Sequence, residues 1–190
     1  MGKFFLTLIF IFLIILGACY YIYRTTGYAF GLDKTILTKG TMGISAQNFA
    51  DGGVLPQDIT CDGQNLSPAL TLSRVPDYAK SLVLILDDAD SNPKYFTHWI
   101  MFNISQYTTN LESGKVLGNV ITGTNDYGNQ EYDGPCPPNG ETHTYYFRIY
   151  ALDTTLSLDG TAKRVDLDNA MKGHIISSGE LKGTYTRVAN

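Results

Sequence analysis

The sequence has little charge: Asp, Glu, Lys and Arg make up 17% of its 190 residues, and its formal net charge is -4. Its 14 basic residues are scattered, which argues against a nucleic-acid surface and against a polybasic membrane patch. The sequence contains no HExxH segment or comparable metal-binding spacing, and no internal repeat. The 13 tyrosines and 19 glycines favour strands and turns over long helices. The length suits one domain.

Cysteine is also scarce, with three residues in the chain. Cys19 lies in an apolar N-terminal run, whereas Cys61 and Cys136 lie in the body of the chain. If the domain is exported, this second pair is in a compartment where disulfides persist. Two buried free thiols would give the same sequence, so spacing alone leaves the disulfide open.

The apolar run FFLTLIFIFLIILGACYYIY at residues 4–23 predicts attachment to a membrane. In one interpretation, LGAC resembles a bacterial lipobox, so that the chain is cut before Cys19 and a lipid is attached to its sulfur. In the other, the run stays uncut as a helix long enough to span the roughly 30 Å hydrocarbon layer, with Arg24 as its flanking charge. Both interpretations place the domain outside the cytoplasm. The predicted organisation is an anchor (1–23), a linker (24–40) and a domain (41–190).

The domain is predicted to be mainly β. Alternating or continuous apolar residues predict strands within 41–47, 69–73, 81–86, 98–104 and 143–152. One helix is predicted within 165–181, where Asp166 or Asp168 could cap it and apolar residues recur at helical spacing as far as Ile175. A closing strand is expected after Gly183. The long loops 49–68 and 105–140 are of a length that is usually functional or disordered.

Polar residues gather at the ends of the predicted strands. They are Asp87, Asp88 and Asp90 after the strand 81–86, and His98, His143 and Tyr145 at the starts of later strands. Alternation places His143 and Tyr145 together on an apolar face, and it predicts that His98 shares a face with Ile100 and Phe102. Each residue alone has a structural explanation, because histidines often bond within cores and aspartates often form turns. Their joint occurrence favours a site.

Two kinds of chemistry fit such a site. Asp88, Asp90, His98 and His143 could hold a divalent metal that activates water. Alternatively, imidazoles, the Tyr145 hydroxyl and backbone amides could hold an anion, with Pro135, Pro137 and Pro138 stiffening the rim. The proline-rich loop favours binding over hydrolysis.

Four segments in order resemble the phosphatidylethanolamine-binding proteins, the family that includes Raf kinase inhibitor protein, and particularly its bacterial branch. They are TCDGQNLSPAL, LVLILDDADSNPKYFTHWIMFNI, GTNDYGNQEYDGPCPPNGETHTYYFRIYALD and AMKGHIISSGELKGTYTR. The resemblance covers about residues 42–187. It implies an antiparallel Greek-key β-sandwich with few short helices, one of them C-terminal.

The resemblance also implies a small surface cavity that binds anions and phosphoryl head groups. The positions that match the family's cavity are Asp88, Asp90, His98, Gly134, Pro135, Pro137, His143 and Tyr145. In this cavity Asp88 would orient, or share a proton with, both His98 and His143. The imidazoles and Tyr145 would contact the anion.

Three positions depart from the family pattern. Ala89 and Asn92 replace prolines, so the loop after the strand 81–86 should be less rigid. Thr144 replaces an arginine, which removes a positive charge and would leave the carboxylate that it pairs with, for which Asp90 is the candidate, free of a partner. Weaker anion binding or a different ligand is therefore expected.

The predicted function is that of an exported, membrane-tethered protein that binds a small anionic ligand or phospholipid head group, with no enzymatic activity and no cofactor. One alternative is a metal-dependent hydrolase that uses the Asp and His cluster. Another is a protease inhibitor or envelope interaction protein with a vestigial pocket.

Overall fold

The computed structural model describes residues 42–92, 95–115 and 118–188. The predicted anchor at 1–23, the linker at 24–40 and the lipidation candidate Cys19 lie outside these residues. No helix in the described ranges has both the length and the apolar character needed to cross a membrane.

The described residues form nine strands, one α-helix and one short 3-10 helix. The strands are β1 (Gly43–Ala46), β2 (Gly53–Val54), β3 (Leu70–Ser73), β4 (Ser81–Asp88), β5 (Phe96–Ile104), β6 (Asn110–Leu111), β7 (Ile121–Thr122), β8 (Thr142–Leu152) and β9 (Ile175–Thr186). The helices are the 3-10 helix Gln57–Ile59 and α1 (Arg164–Met171).

The strands make two sheets, one with the order β1-β3-β6 and one with the order β2-β9-β8-β4-β5-β7. Within the larger sheet, β8 lies beside β4 and not beside β7, which precedes it in that sheet along the chain. The mainly β fold with one helix agrees with the prediction. The pairing of β2 with β9 is parallel and so departs from the purely antiparallel arrangement that was expected.

Both sheets contribute to one hydrophobic core. Ile44 and Leu72 from the smaller sheet pack in the same cluster as Leu84 and Phe147 from the larger one. All eight residues of β4 are buried, as its continuous apolar run predicts. The candidate site lies at the Asp88 end of this central strand, which pairs with β5 on one side and β8 on the other.

The helix is shorter than the sequence pattern predicts. It ends at Met171, and Gly173 then adopts a φ of 82°, a left-handed conformation that ends helices. Ile175 instead begins β9 and pairs with Leu152 of β8, so the expected helix to 181 is wrong. Of the two expected caps, Asp166 contributes to the helix start, because its carboxylate accepts a bond from the N–H of the N-cap residue Lys163 at 3.0 Å, whereas Asp168 lies inside the helix and does not cap it.

A bulge in β5 changes the face on which His98 lies. Leu86 pairs with Trp99 while Asp87 pairs with Thr97, so His98 is an extra residue between two ladder positions. Its ring contacts that of Tyr145, with the centroids 5.4 Å apart. The predicted shared face with Ile100 and Phe102 is therefore wrong, since a bulge breaks the alternation on which it was based.

Candidate functional site

Asp88 ends β4 and is 4% exposed. Its Oδ1 atom accepts hydrogen bonds from the backbone N–H groups of Asp90 at 2.9 Å and Ser91 at 3.1 Å. Its Oδ2 atom lies 2.6 Å from Nδ1 of His143. Asp88 thus forms the turn after the strand and also holds an imidazole.

His143 lies between two carboxylates at the start of β8. Besides the bond from Nδ1 to Asp88, its Nε2 atom lies 3.2 Å from Oε2 of Glu141. Burial disfavours the imidazolium, but the bonds to and charges of Asp88 and Glu141 outweigh this effect and raise the pKa of His143 above 6.5. This imidazole therefore has a cationic tendency near neutral pH.

His98 has a different environment. It is 2% exposed, and its Nδ1–H donates to the backbone carbonyl of Asp133 at 2.8 Å. Burial lowers the pKa of His98 below 6.5 in spite of this bond and of the nearby Asp88 charge. The expectation that Asp88 orients both histidines holds for His143, whereas His98 is oriented by a loop carbonyl.

Tyr145 packs between the two histidines. Its ring centroid is 5.4 Å from that of His98 and 6.5 Å from that of His143. Burial, with the Asp88 charge as a further cause, raises the pKa of Tyr145 far above 10, so the hydroxyl remains a donor. Among the described residues this buried hydroxyl makes no hydrogen bond of ordinary distance and angle, which is also true there of the Trp99 indole N–H, although the Asp88 carboxylate and the Cys136 backbone lie close enough to shift its pKa. Such a group costs about 1–3 kcal/mol when left unpaired.

Gly134 and Pro137 belong to the loop that precedes β8, and both are buried. The N–H of Gly134 donates to Oδ1 of Asn65 at 2.7 Å. A Cβ atom at Gly134 would lie 2.3 Å from the Ile59 carbonyl oxygen, so this close approach requires glycine.

A disulfide joins Cys136 of this loop to Cys61, which decides between the bridge and the two free thiols that the sequence left open. The N–H of Cys61 also donates to the Pro135 carbonyl at 3.1 Å. The loop is therefore fixed to the segment 59–65 by covalent and hydrogen bonds.

Asp90 has a partner in spite of the missing arginine. Its Oδ2 atom accepts a 2.8 Å hydrogen bond from the backbone N–H of Thr144. The expectation that this carboxylate would be left without a partner is wrong, because a main-chain donor of the substituted residue binds it. The loop after β4 is thereby tied to β8.

Two residues beside His98, Tyr127 and Asn125, were not predicted from the sequence. Tyr127 is 49% exposed, and its ring lies edge-on to those of Phe96 and His98 at 4.7 and 5.5 Å. Asn125 accepts the Tyr127 N–H at 3.0 Å and donates to the His98 carbonyl at 3.1 Å and to the Asp133 carboxylate at 2.6 Å. The sequence shows only that both residues lie in a long loop rich in turn-forming residues. Such a loop does not indicate that they contact His98 and Asp133.

The site does not gather metal ligands. Within the described ranges, no group of three or more His, Cys, Asp or Glu side chains is arranged to hold a metal ion. The carboxylates of Asp88 and Asp90 accept hydrogen bonds from backbone amides instead, and that of Asp88 also bonds to His143.

Comparison with known proteins agrees with the fold and with the motifs. The family model described as phosphatidylethanolamine-binding protein matches residues 45–186. The chain belongs to this family. A UPF0098 protein of Methanothermobacter thermautotrophicus is 44% identical over 151 residues, which cover 77% of this chain and 99% of the relative. A UPF0098 protein of Chlamydia trachomatis is 40% identical over 151 residues, with the same two coverages of 77% and 99%.

Solved structures of phosphatidylethanolamine-binding proteins have the same fold. A homologue from Chlamydia trachomatis is 39% identical, with a TM-score of 0.74, and the match covers 78% of this chain and 99% of the homologue. Escherichia coli YbcL, described as a member of the mammalian family, is 26% identical with a TM-score of 0.73 and coverages of 77% and 99%. The resemblance inferred from the four sequence segments is thus confirmed.

Proposed function

We propose that this phosphatidylethanolamine-binding protein binds a small anionic ligand, such as a phosphoryl head group, and does not transform it. Membership of the family supports the binding of small ligands. The single observation that carries the anion assignment is the Tyr145 hydroxyl, a buried donor that makes no hydrogen bond of ordinary distance and angle among the described residues. The Tyr145 ring lies beside that of His143. Burial lowers the pKa of His143, but the Asp88 and Glu141 carboxylates outweigh this effect and raise it. An anion could accept a bond from each of these groups.

The other residues of the proposed pocket hold these donors in place. Asp88 orients His143, and Asp90 joins the loop after β4 to Thr144. Gly134 and Pro137 form the wall, and His98 contacts Tyr145 from the side of β5. No observation favours the hydrolase or the protease inhibitor over this assignment.

We also propose that residues 4–23 tether the domain to a membrane on the exported side, either as a helix or through a lipid on Cys19. The Cys61–Cys136 disulfide supports export, because such bonds persist in oxidising compartments. The mass of the mature N-terminus would decide between the two anchors. A chain cut before Cys19 and heavier by a lipid is expected for the lipid anchor, and an uncut chain is expected for the helix.

Calorimetry with phosphoethanolamine would test the pocket. We expect Tyr145→Phe and His143→Ala each to lower the affinity about tenfold or more, since each removes a bond to a charged group. Wild-type affinity should be higher near about pH 6 than near about pH 8, because the imidazolium fraction of His143 falls over this interval. Tyr107→Phe removes a hydroxyl from a tyrosine that is 81% exposed and serves as the matched control. Equal binding by the wild type and by both site variants would refute the assignment.

A further inference from the structure

Glu141 places a carboxylate on the outer nitrogen of the His143 ring. The inner nitrogen, Nδ1, is bonded to Asp88, and the outer one, Nε2, lies 3.2 Å from Oε2 of Glu141. His143 thus has both nitrogens occupied by side chains of the protein itself. Any external anion that binds the imidazole must take the place of one of these carboxylates.

The two carboxylates differ greatly in how readily they can leave. The Asp88 side chain is 6% exposed and also accepts two backbone hydrogen bonds in the turn after β4. The Glu141 side chain is 60% exposed, and its bond to His143 is the longer of the two. Exposed ion pairs contribute little free energy, because water solvates the separated charges well. Displacement of Glu141 therefore costs far less than displacement of Asp88.

The backbone of Glu141 is fixed while its side chain can move. Its N–H donates to the Pro138 carbonyl at 3.0 Å, and its carbonyl accepts the Arg187 N–H at 3.2 Å. An exposed side chain changes rotamer within picoseconds to nanoseconds. The carboxylate can swing away from His143 without any change in the loop that carries Pro137 and Pro138.

We propose that Glu141 is an internal competitor of the anionic ligand, whose carboxylate occupies the His143 Nε2 position until a stronger acceptor displaces it. This inference rests on the proposed function. Glu141 lowers the affinity for every anion and excludes those that bind His143 more weakly than a carboxylate does. A phosphoryl group has more negative charge than a carboxylate and three acceptor oxygens, so it is a stronger acceptor for Nε2 of His143 than Glu141 is.

Two substitutions separate the charge of Glu141 from its hydrogen bond. Glu141→Gln removes the charge but keeps an acceptor oxygen that can still bind Nε2, whereas Glu141→Ala removes both. We expect the affinity for inorganic phosphate and for phosphoethanolamine to rise about two- to fivefold in the alanine variant. The glutamine variant should lie between it and the wild type. Glu112→Ala is the matched control, because it changes the net charge equally at a side chain that is paired with Lys115 away from His143.

Calorimetry with both anions distinguishes the outcomes. Tighter binding of both by Glu141→Ala but not by Glu112→Ala would support the competitor. Weaker binding of phosphoethanolamine alone would overturn it and show that Glu141 holds the ammonium group. Unchanged affinities in Glu141→Ala, with binding still lost in His143→Ala, would overturn the inference and leave the proposed function intact. Failure of both anions to bind the wild type and every Glu141 variant would overturn both proposals.

Discussion

Two histidines in one site have pKa values shifted in opposite directions, because both their burial and their hydrogen-bond acceptors differ. His98 donates to a neutral carbonyl, so the cost of burying a cation prevails and its pKa falls. Burial also disfavours the imidazolium of His143, but its two carboxylate partners outweigh this effect and its pKa rises. One ring is thus suited to be a neutral donor and the other a cation.

The opposite shifts predict a stability maximum near about pH 6.5. The folded pKa of His143 is raised, so His143 contributes stability below about pH 6.5 and loses this contribution as the pH rises through the folded pKa. The folded pKa of His98 is lowered, so stability is lost as the pH falls below about 6.5. Urea unfolding between about pH 5 and pH 8 measures both effects. His143→Gln should remove the alkaline decline, and an unaltered profile in that variant would contradict the assignment.

At the scale of elements, the site depends on a loop and a bulge that the strands alone do not determine. The bulge in β5 turns His98 towards Tyr145. The loop at 134–138 is fixed by the Cys61–Cys136 disulfide and by the bond from Gly134 to Asn65. The strands therefore set the direction of the site side chains, and the bulge and the loop bring these side chains together.

Replacement of both Cys61 and Cys136 by serine should lower the free energy of unfolding by about 2–4 kcal/mol, because the bridge closes a long loop in the unfolded chain. The two cysteines are separated by 75 residues. Phosphoethanolamine affinity of the folded variant should fall only a few-fold, since the Gly134–Asn65 and Cys61–Pro135 hydrogen bonds remain. Urea unfolding and calorimetry measure the two quantities. Undiminished stability would show that hydrogen bonds alone fix the loop.

Sequence patterns predicted the strands, where apolar residues recur regularly, and did not predict the contacts made by irregular segments. The apolar runs of β4, β5 and β8 were sufficient to locate three buried strands. The helix was wrongly predicted to continue past Gly173, because the local spacing of apolar residues contains no information on the pairing of β9 with β8. Tyr127 and Glu141 were missed because their contacts also depend on the tertiary structure. The Tyr127 ring contacts the ring of His98, which another segment supplies, and the Glu141 carboxylate reaches Nε2 of His143. The family motifs, in contrast, included Asp88, His98 and His143, which lie beside Tyr145.

At the scale of the whole molecule, the central sheet separates two charged clusters. Asp87 points away from Asp88 because strand side chains alternate, and its fully buried carboxylate bonds to Arg164 at 2.6 Å and to Arg148 at 3.0 Å. Burial opposes the Arg164 cation, but the charges of Asp87 and Asp168 outweigh it and raise the pKa of Arg164. This cluster joins α1 to β4 and β8 on the face opposite the candidate site.

Adjacent aspartates should therefore respond differently to the same substitution. Asp87→Asn leaves Arg148 and Arg164 without a full counter-charge, and we expect it to lower the free energy of unfolding by about 3–5 kcal/mol. Asp88→Asn keeps an oxygen for the turn amides but removes the charge that favours the His143 imidazolium. It should weaken phosphoethanolamine binding about tenfold with a smaller loss of stability. Urea unfolding measures the stability of the two variants, and calorimetry measures their phosphoethanolamine affinity. Equal losses of affinity in both variants would contradict the assignment of Asp87 to stability and of Asp88 to ligand binding.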